Sequence, residues 1–119
     1  MLIKTVDLGL PENLEKLNYL VGKIAGKEIE FDSYGRVHEV LNGGYDNRRY
    51  SPHSNPFQCL EATPRMDISC APDNKFVVSH ERMEFENPVT HESELIARCL
   101  ALVFSVHGEE VADEAWEGI

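Results

Sequence analysis

An α+β fold follows from three observations: two long segments with apolar residues at three- and four-residue spacing, several short runs of alternating apolar and polar residues, and turn signals between them. The chain has 119 residues, 42% hydrophobic and 27% charged, which suits one globular domain with a modest core. The expected architecture is a small antiparallel sheet packed against an N-terminal helix, about residues 11–26, and a buried C-terminal helix, about 91–107. Residues 1–119 form a single domain in this reading, closed by an acidic tail over about 109–119.

The elements can be justified in order. Leu2, Ile3 and Val6 alternate briefly and suit an edge strand. From Pro11 the period changes: Leu14, Leu17, Val21 and Ile24 recur near three and four, while Glu12, Glu15, Lys16 and Lys23 take the other face. Pro11 fits a first helical turn, Glu12 its positive end, and Gly26 its stop. Glu28 to Asp32 alternate as a half-buried strand, and Val37 to Leu41 form a second run ending in the turn Asn42-Gly43-Gly44. No Gly-Lys-Ser or Gly-Lys-Thr follows those glycines, so they read as a turn and not as a phosphate loop.

Further on, Met66, Ile68 and Cys70 alternate, Phe76-Val77-Val78 is rich in strand formers, and Met83 and Phe85 alternate with Glu84 and Glu86. Ala71-Pro72-Asp73-Asn74 separates the first two as a turn, which predicts a small meander. After Pro88 the last helix opens with Thr90 as N-cap and Glu92 and Glu94 in its first turn, then runs to His107 before Gly108. Leu95, Ile96, Cys99, Leu100, Leu102, Val103, Phe104 and Val106 make it apolar nearly all round, the pattern of a central helix.

Charge excludes more than it identifies. A formal net charge of -10 disfavours direct contact with nucleic-acid phosphates, where affinity comes from lysine and arginine. Acid gathers at Glu81, Glu84, Glu86, Glu92 and Glu94, offset nearby by Arg82, and again at Glu109, Glu110, Asp113, Glu114 and Glu117. Such faces serve solubility or meet a basic partner. The apolar run Leu95 to Val106 is too short to span a bilayer and the N-terminus lacks a basic-then-apolar signal, so no membrane partner and a cytoplasmic location are expected. The three cysteines, Cys59, Cys70 and Cys99, lack paired short spacing and read as reduced thiols without a structural disulfide.

Between the glycine turn and the later strands lies a polar loop with two prolines, Tyr50 to Cys59, which no core pattern requires. Its Tyr50, His53, Asn55 and Gln58 offer groups that could read a small polar ligand or a protein backbone, and equally groups that could hold a structural turn. Arg98 stands inside the most apolar helix, where a cation needs a carboxylate or carbonyls. It either clamps the loop or an acidic strand residue, snorkels to solvent, or presents its fork to an anionic ligand. His38, His53, His80, His91 and His107 show no zinc-ligand spacing with each other or with the cysteines, so no metal or other cofactor is expected. A Cys59–His53 pair and the Glu84–Glu86 pair lack the oriented base and the enclosed setting that catalysis needs, and the chain is not expected to be an enzyme.

Taken together, Leu17 to Gly26, the segment Tyr50-Ser51-Pro52 through Asn55-Pro56-Phe57-Gln58-Cys59, Ala97-Arg98, and Gly108-Glu109-Glu110-Val111 resemble the small phage proteins of the NinX type. In that family a leading helix ends in alanine or glycine, a central loop carries proline, an acid or amide and glutamine, and the final helix holds alanine-arginine before a glycine-acid-valine stop. His53 stands here where a small residue is usual, and Asn55 where the acid is usual. The resemblance implies a bacteriophage or prophage accessory protein of the host cytoplasm. Two readings stand beside it: a non-catalytic protein that uses its acidic face or the proline loop to bind a host or defence protein, or a small-ligand module, of nucleotide type, using Arg98 with Tyr50, Asn55 and Gln58. Unpaired edges in so small a sheet also suit a homodimer.

Overall fold

A computed structural model of the chain describes residues 3–44, 46–64, 66–70, 75–80, 89–112 and 115. In chain order its elements are β1 (Ile3–Lys4), α1 (Leu14–Ile24), β2 (Ile29–Phe31), β3 (Val37–Leu41), β4 (Asp46–Arg49), α2 (Pro56–Ala62), β5 (Met66–Cys70), β6 (Phe76–His80), β7 (Val89–His91), α3 (Glu94–His107) and β8 (Glu110–Val111). The α+β class is as expected, but the strands among the described residues form three antiparallel sheets where one was expected: β1-β8, β2-β3-β4 and β5-β6-β7. The division follows from the helices. α3 packs against β6, β7, α1 and the tight turn Thr5–Gly9, while α1 packs on β2 and β3, so the helix pair stands between the two larger sheets.

Pro11–Asn13 make a single tight turn before α1, where a missing proline N–H loses no hydrogen bond. The inward face of α1 carries Leu17, Leu20 and Val21, each at most 1% exposed, and burying each contributes about 1.5–3 kcal/mol. Gly26 ends the helix at φ 77°, letting the Lys27 N–H reach the Gly22 carbonyl at 2.9 Å and the Gly26 N–H reach that of Lys23 at 3.1 Å. The Asn42-Gly43-Gly44 turn joins β3 to β4, with Gly43 at φ 67° and Gly44 at φ 101°. β4 was not expected from Asp46-Asn47-Arg48-Arg49, which has no apolar residue; it exists by pairing with β3, Glu39 opposite Arg48.

Two boundaries shift. The N-terminal strand is confined to Ile3–Lys4 among the described residues; Thr5 next to it donates its N–H to the Glu109 carbonyl at 2.8 Å and its hydroxyl to the Gly108 carbonyl at 2.6 Å. The last helix starts at Glu94, with Ser93 and not Thr90 as its cap, the Ser93 Oγ accepting the Ile96 N–H at 3.3 Å. Val89–His91 is taken by the sheet instead, Val89 opposite Val78 and His91 opposite Phe76. A strand partner outcompetes a helical start that has no intrahelical bonds yet to offer. β5 and β6 pair from Met66 opposite His80 to Cys70 opposite Phe76. The expected Ala71–Asn74 turn, the strand at Met83 and Phe85, the charges Glu81, Arg82, Glu84 and Glu86, and the tail residues Asp113, Glu114 and Glu117 lie outside the described residues. Among the described residues no helix is long and apolar enough to cross a membrane.

Candidate functional site

The Tyr50 to Cys59 segment is a short ordered turn feeding a helix, which corrects the expectation of a loop throughout. Asn55-Pro56 starts α2: the Asn55 Oδ1 accepts the N–H groups of Phe57 at 3.0 Å and Gln58 at 3.2 Å, and Pro56 occupies the first turn. Ahead of it the Ser51 carbonyl accepts the N–H groups of Ser54 at 3.0 Å and Asn55 at 2.8 Å. Gln58 then closes the turn from the helix side. Its Oε1 accepts the Ser51 N–H at 2.7 Å and its Nε2 donates to the Arg49 carbonyl at 2.9 Å, so one amide side chain serves the backbone as a neighbouring strand would.

The other end of the turn is fastened to α1. Asn18 is fully buried on the inward face of that helix and accepts the His53 N–H through Oδ1 at 3.1 Å. Its Nδ2 lies 2.8 Å from the His53 Nδ1. The Asn18 Oδ1 also lies 3.1 Å from the same ring nitrogen, so one amide reaches both the backbone and the ring of His53. Burial lowers the pKa of this imidazole; the Glu15 carboxylate opposes the shift and Arg49 adds to it. Glu15 completes the joint by accepting the Val37 N–H at 2.9 Å and an Arg49 Nη2–H. Ser51 Oγ also sits on Nδ1, at 3.3 Å, so Asn18 and Ser51 share one ring nitrogen and the trio is not arranged as a nucleophile–base–orienter relay.

Tyr50 is buried to 1% exposure, its ring beside Gly22, and its hydroxyl has no hydrogen-bond partner among the described residues. Burial raises its phenol pKa. Arg98 is 15% exposed, its Nε lying 3.7 Å from Glu94 Oε2, one turn back along α3, without a hydrogen bond; among the described residues it meets neither the proline loop nor an acidic strand residue, and Glu84 and Glu86 lie outside them. The five expected site residues thus divide: His53, Asn55 and Gln58 share the turn, Tyr50 lies beneath it, and Arg98 stands on the helix behind α2. Cys59 turns away from His53 towards α3, its Sγ 3.6 Å from the Leu95 carbonyl.

What the turn holds out is apolar. α2 is secured by Gln58, by Cys59, and by Glu61, whose carboxylate lies 2.6 Å from Lys27 Nζ; Lys27 in turn lies 3.6 Å from the buried Glu39, which pairs with Arg48 at 2.8 Å. Phe57 and Leu60, its two largest apolar side chains, face solvent at 85% and 49% exposure. Sequence reasoning missed both this helix and Asn18. The signals were present: Asn55-Pro56 is a cap followed by a first-turn proline, and Asn18 shares the inward period of Leu14, Leu17 and Val21. Among the described residues no group of three or more histidine, cysteine or acidic side chains could hold a metal ion. Neither the family models nor the curated proteins compared with the chain match it.

Proposed function

We propose that this is a non-catalytic interaction protein that docks a partner protein on the outward face of α2, with Phe57 as the anchor and Leu60 beside it. The observation that carries the reading is the inversion of α2. A surface helix ordinarily buries its apolar residues, and each of these two would contribute about 1.5–3 kcal/mol if buried. Here a glutamine, a cysteine and a glutamate hold the helix while the phenylalanine is left 85% exposed. An exposed aromatic on a helix whose backbone is already fastened is the form that interface anchors take, because the backbone has little freedom left to lose on binding.

The partner this surface suits carries an apolar pocket rimmed by basic groups. Glu61, 59% exposed, adjoins Leu60, and the chain as a whole carries a formal net charge of -10. Together with the NinX-type resemblance, this favours a phage accessory protein acting on a host or defence protein. A photoreactive phenylalanine analogue placed at position 57, and at Tyr34 as control, tests the reading in lysate of the host. The expected result is one adduct specific to position 57, weakened by added salt and competed away by unmodified chain. Equal adducts at both positions, or none, would overturn it, and saturable thermal stabilisation by a nucleotide without any adduct would favour the small-ligand alternative.

A further inference from the structure

We propose that the free edge of β2 is a second docking site, which takes an extended segment of a partner protein as an added antiparallel strand with lysine or arginine at alternate positions. The sheet β2-β3-β4 has two edges, and the fold treats them differently. At β4 the Gln58 amide reaches over from α2, accepting the Ser51 N–H at 2.7 Å and donating to the Arg49 carbonyl at 2.9 Å, so part of that edge is already covered. β2 packs on α1 and pairs with β3, and among the described residues no strand pairs with its outer side.

The register shows which backbone groups are left over. The Val40 N–H reaches the Glu28 carbonyl at 2.8 Å and the Asp32 N–H reaches the Arg36 carbonyl at 2.8 Å, so Glu28, Glu30 and Asp32 turn their backbone groups towards β3. Ile29 and Phe31, one position out of step, point theirs away from the sheet, and among the described residues nothing takes them up. Together they offer two donors and two acceptors in line, the pattern on which an added strand is built. The hairpin beyond them is tied down, the Asp32 Oδ1 accepting the N–H groups of Tyr34 at 2.8 Å and Arg36 at 3.0 Å.

Side chains settle which strand fits. Glu28 and Glu30 share the face of β2 turned away from α1, and both are exposed and without an ion pair among the described residues. A residue set opposite either of them meets a carboxylate, which lysine or arginine pairs with. Ile29 and Phe31 lie on the other face, half-buried against α1, where Phe31 stacks on Tyr19 at 4.9 Å and Lys23 lies 5.7 Å over the same Tyr19 ring. Apolar residues suit that side, and a further cation would be repelled there. The same charges disfavour a second copy as the occupant. Pairing Ile29 with Ile29, Ile29 with Phe31 or Phe31 with Phe31 across a two-fold axis sets the carboxylates of Glu28, Glu30 and Asp32 against one another.

The test uses the full chain and a synthetic end-capped peptide of alternating lysine and valine, about seven residues long, the span of an ordinary strand. Its valines lie opposite Ile29 and Phe31, with their N–H groups facing β2. Saturable binding is expected, and NMR hydrogen exchange of the Ile29 and Phe31 amides should slow, while the Glu30 amide, already turned to β3, changes little. The same peptide N-methylated at its valines, and a peptide of alternating glutamate and valine, are expected not to bind. Glu28→Lys together with Glu30→Lys, at two exposed positions, should weaken binding by at least about tenfold. The proposal is overturned if the lysine–valine peptide does not bind, if its N-methylated form binds as well, or if the Ile29 and Phe31 amides exchange at an unchanged rate. It is also overturned if those amides slow when the concentration of the chain alone is raised, which would make the occupant a second copy. The outcome is independent of the α2 reading: α2 adjoins β4 at the other edge, and a Phe57→Ser chain is expected to bind the peptide as the parent does.

Discussion

Asn18 and His53 are 35 residues apart in sequence and meet at both backbone and ring, the Asn18 Oδ1 accepting the His53 backbone N–H at 3.1 Å and its Nδ2 lying 2.8 Å from the imidazole Nδ1. One amide on the inward face of α1 thereby sets the position of the turn that launches α2. Everything α2 displays depends on this joint and on the Gln58 clasp.

Removing the joint leaves buried groups without partners. Asn18→Leu, similar in size and unable to bond, is expected to destabilise the fold by about 1–3 kcal/mol, the usual penalty for stranding buried polar groups. Urea denaturation measures this, and amide hydrogen exchange at His53 should accelerate well before the core opens. A variant as stable as the parent would show that the turn holds itself.

Gln58→Leu is expected to behave similarly, since it strands the Ser51 N–H and the Arg49 carbonyl together. Phe57→Ser should differ, because its side chain is 85% exposed; its stability change is expected within about 0.5 kcal/mol, as for surface substitutions generally. Side-by-side denaturation of the two variants checks the division of α2 into a fastening face and a presenting face. Loss of more than about 2 kcal/mol on Phe57→Ser would mean that the ring contributes to the fold, since exposed positions rarely reach that figure.

Gly22 marks where α1, β2 and the turn crowd together. A β-carbon there would lie 2.8 Å from Ile29 Cδ1 and 3.0 Å from the buried Tyr50 ring. Alanine gains about 1 kcal/mol of helix propensity over glycine, but overpacking costs about 1–3 kcal/mol, and the ring has nowhere to retreat. Gly22→Ala is therefore expected to lower the melting temperature; a rise would show that Ile29 yields easily.

Acid should weaken the fold in two stages. His53 has a folded pKa lowered from 6.5 by burial, with Glu15 opposing and Arg49 adding, and His107 is lowered by burial alone. The unfolded chain takes up these protons more readily, so the stabilisation is complete above pH 6.5 and is lost as pH falls through the folded values. Asp32 follows later. Its carboxylate, held chiefly by the Arg36 N–H, has a folded pKa of about 2 against 3.8, so its contribution is kept above 3.8 and lost as pH falls towards about 2. Proton NMR titration of the imidazoles checks the first stage; a His53 midpoint at or above 6.5 would show that burial does not govern the ring.

Much of the fold was legible in local pattern. The period of Leu14, Leu17 and Val21 with the stop at Gly26 marked α1, and the apolar stretch from Leu95 marked α3 as the helix on which the rest packs. The turn at Gly43-Gly44 was likewise visible, because only a few residues accept its backbone. Less legible were β4 and β7. Asp46–Arg49 has no strand pattern, and Val89–His91 suits a helix start as well as a strand; each is decided by the partner strand beside it. The α2 cap was present in Asn55-Pro56, yet seven residues are too few for a helix to declare itself by period.

By itself the sequence determined the α+β class, the two long helices and their inward faces, and the strongly acidic balance, since these rest on composition and spacing along the chain. Only the tertiary structure decided what the polar residues of the Tyr50 to Cys59 segment do. Asn55 and Gln58 serve the backbone, His53 meets Asn18, Cys59 meets α3, and Phe57 is left outside. The physical reason is that a polar side chain is satisfied by whatever donor or acceptor the fold brings within about 3 Å, and no spacing along the chain encodes that neighbour.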